Sequence, residues 1–190
     1  MKTLNQYIQE KLIINKDYRD NKIVVKSCDE LWKIIYDRYK KLGPGTKQNP
    51  IDFNDIDVSN MDSFYSQTTY TGIFEGTKFK HIDISEWDVS NVKNMTNMFN
   101  GCKYLKSVGN ISKWNVSNVR FMPFMFSECK KFNQDLSEWN VSNVTDMKYM
   151  FYECENFNQD LSCWDVSKVR YKIAMFYDCP IKEEYKPKFK

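Results

Sequence analysis

The feature that most constrains this chain is a period. Tryptophan falls at Trp87, Trp114, Trp139 and Trp164, at spacings of 27, 25 and 25 residues. The residues between them repeat as well. Positions 136–160 read LSEWNVSNVTDMKYMFYECENFNQD, and 111–135 read ISKWNVSNVRFMPFMFSECKKFNQD. A looser copy covers 84–110, and another covers 161–179. Self-similarity at 20–50 residues marks an array of units, none of which can bury its apolar face alone. Copies must therefore stack, and stability becomes a nearest-neighbour property.

Residues 136–157 serve as the reference copy. Trp139 and Val141 alternate with polar residues, the period of a short strand. Met147, Met150, Phe151 and Cys154 are spaced 3, 1 and 3, one face of a helix of about two turns. The expected architecture is α/β: strand, turn and short helix in each ~25-residue repeat, closing as a short solenoid.

The consensus W-[DN]-V-S-[NK]-V-x-x-M-x-x-M-F-x-x-C-x-x-F-N-Q-D-L-S resembles the BspA-like leucine-rich repeat of bacterial surface proteins. It is closest to the type with tryptophan and an "MF" pair first catalogued in mycoplasma lipoproteins. L-x-x-W-x-V-x-x-V from Leu136 is likewise similar to the leucine-rich-repeat core. The likeness spans about 54–180. It implies a leucine-rich-repeat solenoid with a role in adhesion or protein–protein contact, and no single ligand.

Around the repeats the expected organisation is a helical cap over 1–53, the repeat array over 54–180 and a basic tail over 181–190. A helix at 4–14 follows from the Thr3–Gln6 capping box and the Leu4, Tyr7, Ile8, Leu12 stripe. Ile23 to Val25 is a β-branched run suited to a strand. Ser27 and Glu30 form a second capping box, opening a helix that carries Leu31, Ile34, Ile35 and Tyr39 and ends at Gly43-Pro44-Gly45. Residues 54–79 are a degenerate first repeat. Val58 to Phe74 is 16 residues where Val89 to Phe99 is 10, so about six residues, 66–71 (SQTTYT), are inserted as a loop. In the last copy Lys172 replaces Met95, Met122 and Met147, as suits a face open to water. That copy should close the array, with a mobile charged tail behind it.

Charge excludes little. The net +3 is weak, and residues 1–50 hold 11 basic against 6 acidic side chains while the rest hold 17 against 19. Neither imbalance implies a nucleic-acid partner. No apolar run approaches the ~18 residues of a membrane span. Residues 1–15 are broken by Lys2, Gln6, Glu10 and Lys11, and the first cysteine is Cys28. Without a signal-peptide core or a lipid-attachment cysteine, an intracellular location is expected. A surface adhesion protein with its export signal elsewhere is the alternative.

Chemistry-bearing residues mostly recur, and recurrence argues for structure. Cys102, Cys129, Cys154 and Cys179 come once per repeat without C-x2-C pairing, so buried thiols are expected rather than zinc ligands. Cys163 stands where Glu86, Lys113 and Glu138 stand and should be exposed. The eight methionines beyond Met1 fall in or near core columns. His81 is the single histidine, and no serine or cysteine sits in a nucleophile motif. No catalytic residue, metal site or cofactor is expected. The outward positions of the strand form three columns: Glu86, Lys113, Glu138 and Cys163; Asp88, Asn115, Asn140 and Asp165; and Ser90, Ser117, Ser142 and Ser167. With Tyr70 in the insertion, these are the candidate contacts for a protein partner. The expected function is non-enzymatic protein binding through the strand face or the insertion. An intracellular effector or a phage-encoded inhibitor of a host protein is the narrower form of it.

Overall fold

The computed structural model describes residues 22–189. The helix expected at 4–14 lies outside the described residues. β1 (Ile23–Val24) pairs in parallel with β3 (Ile56–Asp57), placing Ile23 opposite Ile56. β2 (Ile51–Asp52) pairs in parallel with β4 (Ile82–Asp83). Helix α1 (Cys28–Leu42) starts where Ser27 Oγ accepts the Glu30 N–H. The Glu30 carboxylate in turn takes the Lys26 N–H, and both satisfy donors that a helix start leaves open. Gly43, at φ 74°, ends the helix by donating its N–H to the Tyr39 carbonyl. Leu31 and Ile35 are the buried stripe of α1, and they seal the first repeat.

The expected α/β leucine-rich-repeat solenoid of strand, turn and short helix is overturned. Among the described residues there is one α-helix, α1, and it precedes the repeats. The strands are two-residue pairs at the start of the chain, and later copies meet through single bridges: Ser63, Asn94, Phe121, Asp146 and Tyr171 in succession. The segment expected to be helical is a run of turns. Its N–H groups alternate in their use. Met150 and Tyr152 donate within the copy, to Met147 and Tyr149, in three-residue steps. Met147, Tyr149, Phe151 and Glu153 donate instead to the carbonyls of Tyr171, Ile173, Met175 and Tyr177 in the next copy. A helix needs each N–H for the carbonyl four residues back, so the two patterns exclude each other. Left-handed φ values at Tyr149 (57°) and Glu153 (53°) complete the break. Asn97, Phe124 and Ala174 repeat the first of these, and Gly76, Gly101, Glu128 and Asp178 the second.

The same four-rung ladder joins the neighbouring copies. Met122, Phe124, Phe126 and Glu128 donate to Asp146, Lys148, Met150 and Tyr152; Met95, Asn97, Phe99 and Gly101 donate to Phe121, Pro123, Met125 and Ser127. Identical spacing drives identical side chains into register. Phe74, Phe99, Phe126, Phe151 and Phe176 stack with centroids 5.4–5.7 Å apart. Trp114, Trp139 and Trp164 stack at 6.4 and 6.5 Å. The methionines at 95, 98, 122, 125, 147, 150 and 175 are buried between these columns. Lys172 is exposed, and its ammonium lies 4.5 Å from the Phe189 ring. The segment expected as a mobile tail docks here: Ile181 and Pro187 are buried, and Tyr185 accepts the Leu161 N–H.

Three of the four repeat tryptophans also make a polar contact. Trp87, Trp139 and Trp164 donate Nε1–H to the carbonyls of Phe53, Ile111 and Leu136. Trp114 Nε1, after the longer 27-residue spacing, is buried without an acceptor among the described residues. We expect Trp139→Ala to cost roughly 3–5 kcal/mol, and Trp164→Ala, one copy from the end, less. Trp139→Phe should cost about 1 kcal/mol more than Trp114→Phe, because it gives up a hydrogen bond to the Ile111 carbonyl, whereas Trp114→Phe removes an indole donor that has no acceptor among the described residues. Denaturant melts measure all four; sub-kcal losses at both alanine sites would reject the stacking register.

Candidate functional site

Three surfaces of the array bear polar or aromatic side chains in quantity. The first holds the residues singled out from the sequence. Asp88, Asn115, Asn140 and Asp165 are exposed, and each carbonyl-type oxygen accepts an N–H from the serine two residues on: Ser90, Ser117, Ser142 and Ser167. They make Asx turns. These Asp and Asn side chains therefore bond to the serine N–H groups inside their own copies. Hydrogen bonds from the Ser90 side chain and backbone hold Asp88 below the usual carboxylate range, and Ser59 and Ser162 do the same for Asp57 and Asp160. Glu86, Lys113 and Glu138 are exposed, yet among the described residues no ion pair links them.

Bonding along the array falls to residues the sequence reading passed over. The amides of Asn91, Asn118 and Asn143 donate to the carbonyls of Ser59, Ser90 and Ser117 in the preceding copy, at 2.7–2.8 Å. Gln134 takes the Val108 N–H on Oε1 and gives Nε2–H to the Gly109 carbonyl, acting as one more peptide group. Recurrence of V-S-N and F-N-Q-D was the available signal.

The second surface is the groove between α1 and the insertion. The Asp29 carboxylate accepts from Ser66 Oγ (2.8 Å) and Thr68 Oγ1 (2.7 Å), so the loop is tied to the first turn of α1. Tyr70, at its tip, takes a left-handed φ of 58° and is 71% exposed. A cleft of about 320 Å³ opens between Cys28, Trp32 and Ile73, and a second of about 260 Å³ adjoins it beside Trp32, Tyr36 and Tyr39. Trp32 and Tyr36 stack at 4.9 Å and are both exposed.

The third surface runs over the turns. Phe124 stacks on Tyr149 at 4.8 Å; Tyr149 meets Tyr152 edge-on at 5.6 Å; Tyr152 stacks on Tyr177 at 5.2 Å. Phe121 and Tyr171 are exposed on the bridge positions beside this column. Left-handed φ at Phe124 and Tyr149 turns these rings out of the core, and every second residue here is pinned by a rung of the ladder. The result is a fixed aromatic column with water on one side. The helical reading of the sequence named only the core positions of this segment and passed over these rings. Aromatics outside the core columns, at 124, 149, 152 and 177, were the signal.

Among the described residues no group of three or more His, Cys, Asp or Glu side chains is placed to hold a metal. No described helix is long and apolar enough to cross a membrane. The recurring thiols are buried or half-buried, and each donates to a carbonyl, as Cys129 does to Phe99 and Cys154 to Phe126. Burial pushes Cys102 up to about 12 and raises Cys129 and Cys154 well above an ordinary thiol.

These features define a stacked-repeat protein with one aromatic face. A family model described as "Mycoplasma protein of unknown function, DUF285" matches residues 68–187, and the chain belongs to that family. No curated protein and no solved structure matches it. The match is to a mycoplasma family and does not extend to the BspA-like or leucine-rich-repeat assignment.

Two outcomes follow from the chemistry of these surfaces. A thiol reagent should modify the exposed Cys163 first, with Cys102, Cys129 and Cys154 lagging by the cost of opening the array; mass spectrometry of timed reactions reports the order, and early labelling of Cys129 would contradict the ladder. The acid response has a definite sign. A carboxyl held below its ordinary value of 3.8 stabilises the fold above that pH, and the gain is lost as pH falls through its lowered value. Asp88→Asn keeps the acceptor, as Asn115 and Asn140 do, so stability at pH 7 should hold within about 0.5 kcal/mol. Its loss between pH 7 and acid should be smaller than wild type in denaturant melts, and an unchanged acid response would reject the Asx-turn account.

Proposed function

We propose that this protein is a non-enzymatic protein-binding module whose contact face is the aromatic column of Phe124, Tyr149, Tyr152 and Tyr177. The observation that carries the reading is the stacked, outward-turned set of rings on a backbone locked every second residue. Aromatic anchors dominate binding energy at interfaces. Rings already ordered by stacking and by the ladder give up little conformational freedom on binding. The resemblance of the W-[DN]-V-S to M-F motif to BspA-like repeats, which are implicated in adhesion and protein contact, supports the same class of activity. The partner is a protein, engaged either inside the cell or, in an adhesion role, at its surface.

A second reading uses the insertion. Among the described residues Tyr70 is the most exposed large hydrophobic side chain, and Asp29 holds its loop in place. The polar columns, including Lys113 and Glu138, support binding less, because Asp88, Asn115, Asn140 and Asp165 accept bonds within their own turns.

The test is a titration of a partner, isolated by affinity purification from the source cell, against three variants. Tyr149→Ala with Tyr152→Ala should weaken binding by about 2 kcal/mol, near 30-fold, with the unfolding midpoint monitored alongside. Lys113→Glu with Glu138→Lys should change affinity less than about twofold. Loss on the polar-face variant alone assigns the binding face to the Asx turns, and loss on Tyr70→Ala alone assigns it to the insertion.

A further inference from the structure

The ladder does not end with the last copy. Each copy sends four N–H groups, at every second residue, to the copy after it. In the final copy the equivalent donors are the N–H groups of Lys172, Ala174, Phe176 and Asp178. Among the described residues none of the four meets an acceptor. The intervening N–H groups of Met175, Tyr177 and Cys179 are satisfied inside the copy, by Lys172, Ala174 and Phe176. What remains is a row of parallel donors in the geometry that three earlier junctions use. Docked residues 181–189 leave this row unpaired: Ile181 and Pro187 are buried, Tyr185 accepts from Leu161, and the Phe189 ring meets the Lys172 ammonium without reaching its N–H.

Side chains at this edge differ from an ordinary surface. Ile173 is 66% exposed, with Tyr171 and Tyr177 on either side of it, also exposed. Charge alternates over the last three copies, although 84–110, with three basic against two acidic, precedes another basic copy. Residues 111–135 hold four basic against two acidic side chains; 136–160 hold one against five; 161–189 hold six against four. A basic copy meets an acidic one at each of these junctions, and Lys130 bridges to Glu155 at 2.6 Å across one of them. The open edge is on a basic copy.

We propose that this edge is a docking site for an acidic, extended segment of a partner protein, which adds its backbone carbonyls to the four free N–H groups as a further copy would. The ladder dictates the complement: carbonyls at every second residue on one side of the segment. A second copy of this chain fits poorly. At the opposite end of the array α1 covers the first repeat, where Ile35 and Tyr39 lie against residues 75–78. Two copies meeting at this same edge would set donors against donors. Edges of this kind are normally covered or charged, and Lys172 with Asp178 charges this one without filling its hydrogen bonds. This site shares Tyr177 with the end of the aromatic column, whose inner members Phe124 and Tyr149 lie on earlier copies.

The probe is a synthetic peptide with the sequence of residues 143–156, Cys154→Ser, capped at both ends; in the chain this segment receives the ladder of the preceding basic copy. It is titrated into isotope-labelled full-length protein, with amide NMR shifts and hydrogen exchange as the readouts. We expect saturable shifts at Lys172, Ala174, Phe176 and Asp178, and exchange at these amides slowed by about tenfold or more at saturation. Lys172→Glu with Arg170→Glu should weaken the peptide about tenfold, as should replacing Asp146, Glu153 and Glu155 of the peptide by lysine. Phe124→Ala, which breaks the aromatic column two copies before the edge, should leave this titration unchanged within about twofold. No shift at the four amides with about 1 mM peptide, equal binding of the charge-reversed peptide, or self-association through this edge in sedimentation each overturns the proposal. Failure of the edge leaves the aromatic-column reading to its own titration.

Discussion

The architecture rests on one hydrogen bond repeated every second residue, from the N–H of one copy to the carbonyl of the next. At about 1 kcal/mol each, four such rungs stabilise a junction modestly. Their larger effect is on geometry. A backbone that must present alternate N–H groups sideways cannot wind into a helix, so it visits the left-handed region at two or more residues in each copy from 84 onward. That conformation costs a non-glycine residue roughly 1–2 kcal/mol, and the cost recurs at Tyr149, Glu153, Phe124 and Glu128. Burial offsets it. Phe126, Phe151, Met147 and Met150 are fully buried, and each side chain of that size gains about 1.5–3 kcal/mol from leaving water.

Once the rungs fix the spacing, polar side chains complete what the turns leave unmet. Asn118 and Asn143 bond to the copy before them, Gln134 stands in for a peptide group, and Asp and Asn cap the turns two residues ahead of a serine. Thiols join in: Cys154 donates at 2.8 Å to the Phe126 carbonyl, which also takes the Cys129 N–H. Polar residues thus recur for the same reason the tryptophans do. A column of identical asparagines is a structural statement before it is a functional one, whereas an aromatic at a position the core does not use needs another explanation. Phe124, Tyr149 and Tyr152 are of that kind.

The two ends of the array are finished differently. At the start, α1 places Leu31 and Ile35 over the first repeat, and Arg38 pairs with both oxygens of Asp55. Where the insertion lengthens that first repeat, Gly72 lets the chain approach the next copy; a Cβ at this position would collide with the Asn97 carbonyl. At the finish, residues 181–189 cover part of the final copy, and its ladder donors stay open.

The sequence by itself determined the period, the core columns and the bounds of α1. Trp139, Met147, Phe151 and Cys154 are buried as their recurrence requires, and Ser27 and Gly43 delimit the helix as capping chemistry dictates. It left the backbone of the repeat undecided. Apolar residues spaced 3, 1 and 3 satisfy a helix and equally a run of three-residue turns. The choice between them belongs to the neighbouring copy, whose carbonyls draw off every second N–H. The candidate face followed from that choice, because left-handed turns at Phe124 and Tyr149 rotate rings outward that a helix would have placed elsewhere. Side-chain spacing is written in one copy, but the direction of a backbone hydrogen bond is settled only when two copies meet.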